Sequence, residues 1–178
     1  TADSPAWSYW AYEVNNPTTA GTTKRNELWQ GEVILTGDVS VESTGSLWLK
    51  PGTTVVFAEA GEQAVNQSLT ISTAKVFSAI GTEASPIRFI KAGESDAASQ
   101  WTGIVLNGRA EMAHIEVRHA DVGLDVTGSM SVTDSVFANN RLGLLKRTSA
   151  VMTISDSQII NNETGVYGRD NGGSLTVI

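Results

Sequence analysis

Charged side chains of the kinds that bind cations or transfer protons cluster between residues 116 and 125. Asp121 and Asp125 carry carboxylates, the ligands that Ca²⁺ prefers, and Glu116 and Arg118 lie just before them. Arg118, Asp121 and Asp125 are therefore candidate ligand-binding residues, and Ca²⁺ is the cofactor that such a group would hold. The competing interpretation is that these charges simply face solvent.

Two pairs of polar residues recur at one spacing. Asp134 and Asp156 are 22 residues apart, each followed by a serine, and Asn139 and Asn161 have the same separation. Paired carboxylates are what glycoside hydrolysis requires. However, an aspartate at a turn usually bonds the backbone, and stacked asparagines bond each other and the turn. We therefore predict that these four residues form structural ladders.

Histidines occupy the equivalent positions in the preceding stretch of chain. His114 lies 20 residues before Asp134, and His119 lies 20 residues before Asn139. We interpret both histidines as substituted members of the ladders. A metal-binding pair is the alternative, but two imidazoles without a nearby third ligand make a poor metal site. The sequence therefore predicts no metal site here.

Composition limits the classes of partner. The chain has 178 residues, a formal net charge of −7 and no cysteine. An acidic protein repels phosphate, which argues against nucleic acid as a partner. The absence of cysteine excludes disulfides and thiolate metal sites. No apolar run is long enough to span a bilayer, so we expect no membrane insertion, and the acidic character suits a secreted or bacterial cell-surface protein.

An internal repeat of about 20 residues predicts how these side chains are positioned. Glycines at 103, 123, 143 and 165 are separated by 20, 20 and 22 residues, and the segments between them align almost without gaps. Apolar residues in each segment alternate with a period of two, which indicates strands. The alignment predicts four inward columns: Ile104, Leu124, Leu144 and Val166; Ala110, Met130, Met152 and Leu175; Met112, Val132, Ile154 and Val177; and Val117, Phe137 and Ile159.

Such columns predict an all-β fold, a right-handed parallel β-helix with three-strand coils of about 20 residues. We place the β-helix at residues 31–178, with looser coils in the first half interrupted by loops near 58–68 and 92–100. Between these loops we expect Val76 and Ile80 to point inward. Residues 1–30 do not fit the repeat. They include Trp7, Tyr9, Trp10 and Tyr12, so we interpret this segment as an aromatic-rich N-terminal cap. We expect the β-helix to continue past Ile178 in a longer parent protein.

Apolar residues at outward positions indicate a contact surface. The alternation directs Val136, Leu145, Ile160 and Tyr167 away from the core, where exposed strands usually carry polar residues. Such a patch predicts a protein or domain partner. Trp48 also points outward if Leu47 and Leu49 point inward, and it is either a platform for a sugar ring or a residue packed beneath the N-terminal cap.

The segments Gly45–Phe57 (GSLWLKPGTTVVF), Ala79–Phe89 (AIGTEASPIRF) and Trp101–Ile104 (WTGI) resemble the entry coils of bacterial right-handed parallel β-helix repeat proteins, of the pectin-lyase-like fold class. The similarity extends over about 31–178. It implies the β-helix fold, which carries polysaccharide lyases, hydrolases, adhesins and non-enzymatic modules alike. For a lyase, the resemblance implies a basic residue such as Arg118 as the proton acceptor, and carboxylates such as Asp121 and Asp125 holding Ca²⁺.

From these observations we expect a non-catalytic β-helix module of a secreted or surface protein. It would serve as a rigid scaffold for adhesion or for contact with a polysaccharide or another protein. No residue is assigned as catalytic. The alternative is a polysaccharide lyase or glycoside hydrolase, or a fragment of one, acting on an acidic polysaccharide.

Overall fold

A computed structural model describes residues 17–42, 44–58, 67–72, 76–93, 101–169 and 172–178. These residues form strands β1 to β20, numbered in chain order, and no helix. The two loops expected near 58–68 and 92–100 fall largely outside the described residues, as do Trp7, Tyr9, Trp10 and Tyr12. No helix in the described part of the chain is long and apolar enough to cross a bilayer.

The strands form three parallel sheets, to which successive strands are assigned in turn. The first sheet contains β1 (Gly21–Thr23), β4 (Val39–Val41), β7 (Ser68–Ile71), β10 (Trp101–Leu106), β13 (Ala120–Val126), β16 (Leu142–Lys146) and β19 (Thr164–Gly168). The second contains β2 (Asn26–Trp29), β5 (Ser46–Leu49), β8 (Phe77–Ile80), β11 (Arg109–Ala113), β14 (Ser129–Thr133), β17 (Val151–Ser155) and β20 (Ser174–Val177). The third contains β3 (Glu32–Leu35), β6 (Thr54–Phe57), β9 (Ile87–Lys91), β12 (Ile115–Arg118), β15 (Val136–Ala138) and β18 (Gln158–Ile160).

Each coil of the chain therefore contributes one strand to each sheet, and each strand pairs with strands three earlier and three later in the sequence. This is a right-handed parallel β-helix, as the repeat predicted, because a connection between parallel strands of one sheet is almost always right-handed. The described residues contain six complete coils, followed by β19 and β20 of a seventh.

The core is a set of apolar columns between the three sheets. All four predicted columns have the predicted register, with Leu124 between Ile104 and Leu144, Met130 between Ala110 and Met152, Val132 between Met112 and Ile154, and Phe137 between Val117 and Ile159. Side chains in these columns become exposed only at the last of the described strands, where Leu175 is 40% exposed and Val177 is 64% exposed.

One strand in the first half has a register different from the predicted one. Val76 and Ile80 were expected to point inward, but both are exposed, and Phe77 and Ala79 fill the core instead. Phe77 pairs with Leu47 and Ala110, and Ala79 pairs with Leu49 and Met112. Because side chains alternate between faces, a slip of one residue exchanges the buried and exposed sets.

Two corners of each of the last three complete coils are made by residues with positive φ. His114, Asp134 and Asp156 have φ of 48, 50 and 49° between the second and third sheets, and the same conformation recurs between the third and first sheets at His119 (63°), Asn139 (58°) and Asn161 (54°). Asn, Asp and His adopt this left-handed conformation more readily than other residues with a side chain. The histidines thus occupy the same corners as the Asp and Asn residues.

The side chains that join successive coils at these corners belong to the next residues along the chain. Asn140 Oδ1 accepts a hydrogen bond from the backbone N–H of Ala120 (2.9 Å), and Asn162 Oδ1 accepts one from Asn140 (2.9 Å). Ser135 and Ser157 do the same at the other corner, accepting from Ile115 (3.1 Å) and Ser135 (3.2 Å). The predicted ladder of Asn139 and Asn161 is therefore wrong by one residue: these two set the turn, and their neighbours form the bonds.

The β-helix begins before residue 31. Strands β1 and β2 pair in register with β4 and β5, so residues 21–30 belong to the first coil and not to a separate cap. Residues 1–16 of the predicted cap lie outside the described part of the chain.

Candidate functional site

Four of the predicted site residues lie on the first sheet, on β13, β16 and β19: Asp121, Asp125, Leu145 and Tyr167. The alternation of each strand directs every second residue outward, and the register brings Leu145 between Asp125 and Tyr167. A groove of about 430 Å³ follows this face, lined by Asp121, Val122, Arg141, Leu142, Leu145, Arg147, Thr164, Tyr167 and Arg169.

Asp121 is paired with an arginine of the following coil. Arg141 donates two hydrogen bonds to its carboxylate, from Nε to Oδ1 and from Nη2 to Oδ2 (3.1 Å). This hydrogen bonding, with the charge of Asp121, raises the pKa of Arg141. Two-point pairing of a carboxylate and a guanidinium is among the strongest polar contacts on a protein surface.

Asp125 is held in the same way by Arg147, which lines the groove. Arg147 donates from Nε to Oδ1 (2.8 Å) and from Nη2 to Oδ2 (2.6 Å). Hydrogen bonding to Asp125 raises the pKa of Arg147, and partial burial opposes this less strongly. The Asp125 side chain is 15% exposed, so this pair is more shielded from solvent than a typical surface ion pair.

Arg118 lies on a different face. It ends β12 in the third sheet, where its Nε is 3.5 Å from Glu116 Oε2, and Arg88 approaches the same oxygen at 3.5 Å. The sequence-predicted cluster is therefore split, with Asp121 and Asp125 on the first sheet and Arg118 with Glu116 on the third. Among the described residues, no group of three or more His, Asp or Glu side chains could hold a metal ion.

The predicted apolar patch is also divided between two sheets. Leu145 and Tyr167 are neighbours on the first sheet, whereas Val136 and Ile160 belong to the third. Tyr167 is 52% exposed, but Leu145 is only 7% exposed and forms the floor of the groove.

Trp48 is not an exposed platform. It points away from the core between the inward residues Leu47 and Leu49, as predicted, yet it is only 7% exposed. Of the two interpretations of Trp48, the structure contradicts the sugar platform because the ring has no open face of useful size.

The corner residue Asp134 contacts residues at and next to the corner. Asp134 Oδ2 accepts a hydrogen bond from the Thr133 hydroxyl (3.0 Å), and its positive φ fixes it at the corner. The His114 Nε2 atom lies 4.0 Å from the same oxygen. These contacts support a role for Asp134 in the turn, and its ladder with Asp156 stays a prediction.

Several residues of the site were missed from the sequence. Arg141 and Arg147 neutralise the candidate aspartates, and Arg169 borders the same groove without a side-chain hydrogen bond or ion pair in the described structure. The repeat contained a signal for the first of them, because Arg141 follows Asp121 by one repeat of 20 residues. Arg147 lies 22 residues after Asp125, two positions beyond its direct neighbour Leu145, so alignment alone does not pair them.

A family model described as a pectate-lyase like beta helix domain matches residues 21–138, starting at the first residue of β1. No curated protein and no solved structure matches the chain significantly.

Proposed function

This chain belongs to the pectate-lyase-like β-helix domain family, and from that premise we propose that it is a non-catalytic module that contacts a glycan through the groove of the first sheet. The module would act as a rigid scaffold for adhesion in a secreted or bacterial cell-surface protein. Its partner would be a polysaccharide, or another protein carried beside it.

The observation that carries the non-catalytic part is the pairing of both candidate carboxylates. Asp121 and Asp125 each accept two hydrogen bonds from an arginine of the following coil. A carboxylate can ligate Ca²⁺ or take up a proton only if its oxygens are free to contact the ligand. The oxygens of Asp121 and Asp125 already accept hydrogen bonds from guanidinium groups. Breaking either pair would leave the positive charge of its arginine without a neighbouring counter-charge.

The proposed glycan contact rests on the chemistry of the groove. Tyr167 exposes an aromatic face beside the apolar floor of Leu145, and sugar rings stack on such faces through their C–H groups. Arg169 supplies hydrogen-bond donors at the edge, where sugar hydroxyl or acid groups would lie. An open groove along a sheet suits a chain-like ligand better than a compact one.

The experiment that tests this proposal is binding of the purified chain to a broad polysaccharide array, with and without Ca²⁺. We expect binding to one class of glycan that does not depend on Ca²⁺ and that falls at least about tenfold in Tyr167→Ala, the loss of roughly 1.4 kcal/mol. Val151→Ala is the matched control, since Val151 is 42% exposed on the second sheet, away from the groove. No binding by the wild-type chain, or equal loss in both variants, would refute the glycan contact.

The enzymatic alternative has a separate readout. Incubation with the bound polysaccharide should release no unsaturated or reducing-end product, and Arg118→Ala and Asp125→Ala should not change this. Product release that disappears in those variants would replace the scaffold with a lyase or hydrolase. A gain of binding with Ca²⁺ would likewise point to the acidic residues Asp121 and Asp125 as ligands.

A further inference from the structure

The corner between β10 and β11 carries an asparagine followed by a glycine. Asn107 and Gly108 lie between Leu106, which ends β10, and Arg109, which begins β11, so neither of them belongs to a strand. Asn107 is exposed and Gly108 is partly buried. Among the asparagines that the structure describes, Asn107 is the one followed by a glycine. Because glycine has no Cβ, its backbone nitrogen is the least obstructed neighbour that an asparagine side chain can have.

The hydrogen bonds at this corner leave the Asn107 side chain and the Gly108 nitrogen unused. The Asn107 N–H donates to the Ile71 carbonyl oxygen (2.8 Å), and the Gly108 carbonyl oxygen accepts from the Ser129 N–H (3.1 Å). Within the described structure, neither the Asn107 carboxamide nor the Gly108 N–H takes part in a hydrogen bond. The corner is therefore anchored on both sides, while these two groups have no partner to hold them apart.

Two asparagines at the other corners are held quite differently. Asn140 is fully buried, and its Nδ2 donates to the Val117 carbonyl oxygen (3.2 Å). Asn162 Nδ2 donates in the same way to the Phe137 carbonyl oxygen (2.9 Å). Both are followed by a charged residue and not by glycine. A carboxamide bonded to another coil cannot turn toward the next backbone nitrogen, whereas that of Asn107 is free to do so.

We propose that Asn107 is a site of spontaneous covalent modification, in which its side chain closes on the Gly108 nitrogen. This nitrogen forms a bond to Asn107 Cγ, the bond from Cγ to Nδ2 breaks, and Nδ2 leaves as ammonia with the proton of the Gly108 N–H. Water then opens the succinimide ring. Addition of water at Cγ gives aspartate, and addition at the main-chain carbonyl carbon gives isoaspartate. Neither route oxidises or reduces any group.

Either product adds a negative charge beside the groove of the first sheet. Asn107 lines a cavity of about 440 Å³ together with Asp125, Arg147 and Arg169. Arg147 and Arg169 also line the groove, so the two cavities adjoin. A carboxylate at position 107 would compete with Asp125 for the guanidinium of Arg147. The modification therefore changes the charge of this face without an enzyme, and it does not depend on whether a glycan binds there.

The packing of this corner favours aspartate over isoaspartate in the folded chain. Isoaspartate lengthens the backbone by a methylene group, which displaces the Gly108 carbonyl oxygen from the Ser129 N–H. There is little space for such a shift, since a Cβ added to Gly128 would lie 2.0 Å from the same oxygen. We therefore expect a larger share of aspartate in the folded chain than in an unstructured peptide of the same sequence.

Mass spectrometry of the aged chain tests the proposal. The purified chain is kept in mildly alkaline buffer, where loss of the Gly108 N–H proton is easier, and is then digested with trypsin. Cleavage after Lys91 and Arg109 releases residues 92–109, in which Asn107 is the single asparagine. We expect a mass gain of about 1 Da at Asn107, confirmed by fragmentation. Its rate should be within about tenfold of that of a synthetic peptide of residues 92–109 in the same buffer.

Asn107→Gln is the matched control, because it keeps the amide group but places it one methylene further from the backbone, where ring closure is much slower. Asn107 is exposed, so this variant should fold as the wild type does, which circular dichroism would verify. It should lose the mass gain, and the tryptic peptides that contain Asn140 and Asn162 should stay unchanged over the same period. A rate at Asn107 more than about tenfold below that of the synthetic peptide, or an equal mass gain in those other peptides, would overturn the proposal.

Discussion

Among the described residues, Glu27 is a buried carboxylate in a column whose other members are apolar. Glu27 pairs with Leu47 in the column that continues through Phe77 and is only 3% exposed. Its carboxylate accepts hydrogen bonds from the backbone N–H of Thr18 (2.9 Å), the Thr18 hydroxyl (2.6 Å) and the Trp29 indole (2.9 Å). A charge is tolerated inside a protein only with such partners.

These contacts make the stability of the fold sensitive to acid at Glu27. Burial raises the pKa of Glu27, but the hydrogen bonds from Thr18 and Trp29 outweigh it and lower the pKa below 4.5. Ionised Glu27 therefore stabilises the folded state above that pH, and its contribution is lost as the pH falls through the folded-state pKa. We expect Glu27→Gln to reduce the free energy of unfolding by about 1–3 kcal/mol at neutral pH and by less in acid.

Urea denaturation from neutral pH down to about pH 3 checks this prediction. The curves of the wild type and Glu27→Gln should converge as the pH falls. A constant difference between them would show that the pKa of Glu27 is the same in the folded and the unfolded state. Glu32→Gln is the control, since Glu32 is exposed on the neighbouring strand β3.

Of the two neighbouring asparagines at the corner, Asn140 contributes more to the stability of the fold than Asn139 does. Asn140 is fully buried, accepts from Ala120 N–H and donates from Nδ2 to the Val117 carbonyl oxygen (3.2 Å). Asn140→Ala leaves both backbone groups without a partner, at a cost of about 2 kcal/mol or more. Asn139→Gly should change stability by only a few tenths of a kcal/mol, since glycine adopts its positive φ freely. Equal effects in thermal unfolding would contradict the ladder.

At the scale of a strand, Phe137 tests the register of the core. It is fully buried between Val117 and Ile159 on β15, so Phe137→Asp places an unpaired charge among apolar side chains and should prevent folding. Val136→Asp, one residue earlier on the outer face, should fold. Circular dichroism and gel filtration distinguish the two variants, and a well-folded Phe137→Asp protein would show that the register is wrong.

Two strands of the first sheet approach each other so closely at residue 103 that a residue with a side chain would clash there. Gly103 has φ of 131° at an irregularity between β10 and β13, and a Cβ there would lie 1.7 Å from the Val122 carbonyl oxygen. Gly103→Ala should therefore destabilise the protein by about 3 kcal/mol or more. Gly168→Ala, on β19 of the same sheet, meets no atom within 4 Å and should be nearly neutral in urea denaturation.

The repeat allowed most of the strand architecture to be predicted, because each column is copied at a spacing of 20–22 residues. It was least informative where the copies diverge. Phe77 and Val76 are both apolar neighbours, so alternation alone could not choose which one faces the core. Asn139 and Asn140 presented the same difficulty at the corner, where only the backbone conformation shows which side chain bonds the next coil.

The candidate site was less predictable than the fold. Asp121, Asp125 and Arg118 are close in sequence, but the corner between β12 and β13 sends them to different faces. The partners of the two aspartates lie one coil away, so a search for neighbouring residues in the sequence does not find them. The exposure of a side chain such as Trp48 depends on what covers it, which no repeat encodes.

At the scale of the whole molecule, each coil contacts only the coils before and after it. A chain of this kind is stabilised by a sum of neighbouring interfaces, and its outermost strands are paired on one side only. In the 178-residue chain we expect the backbone amides of β18 and β20 to exchange with deuterium faster than those of β11, β12 and β14. Hydrogen exchange with mass spectrometry measures this gradient, and uniform protection would contradict it.

In the corner ladders, a backbone N–H group of one coil donates to a side chain of the following coil. This direction bears on the order in which the coils fold during synthesis. The N–H groups of Ile115 and Ala120 are satisfied by Ser135 and Asn140, and those of Ser135 and Asn140 by Ser157 and Asn162. The ribosome releases each coil before the one that completes it. A nascent chain can therefore complete the corner hydrogen bonds of its coils one at a time, in the order of synthesis. Only the most recently synthesised coil still lacks the side chains that accept its corner N–H groups.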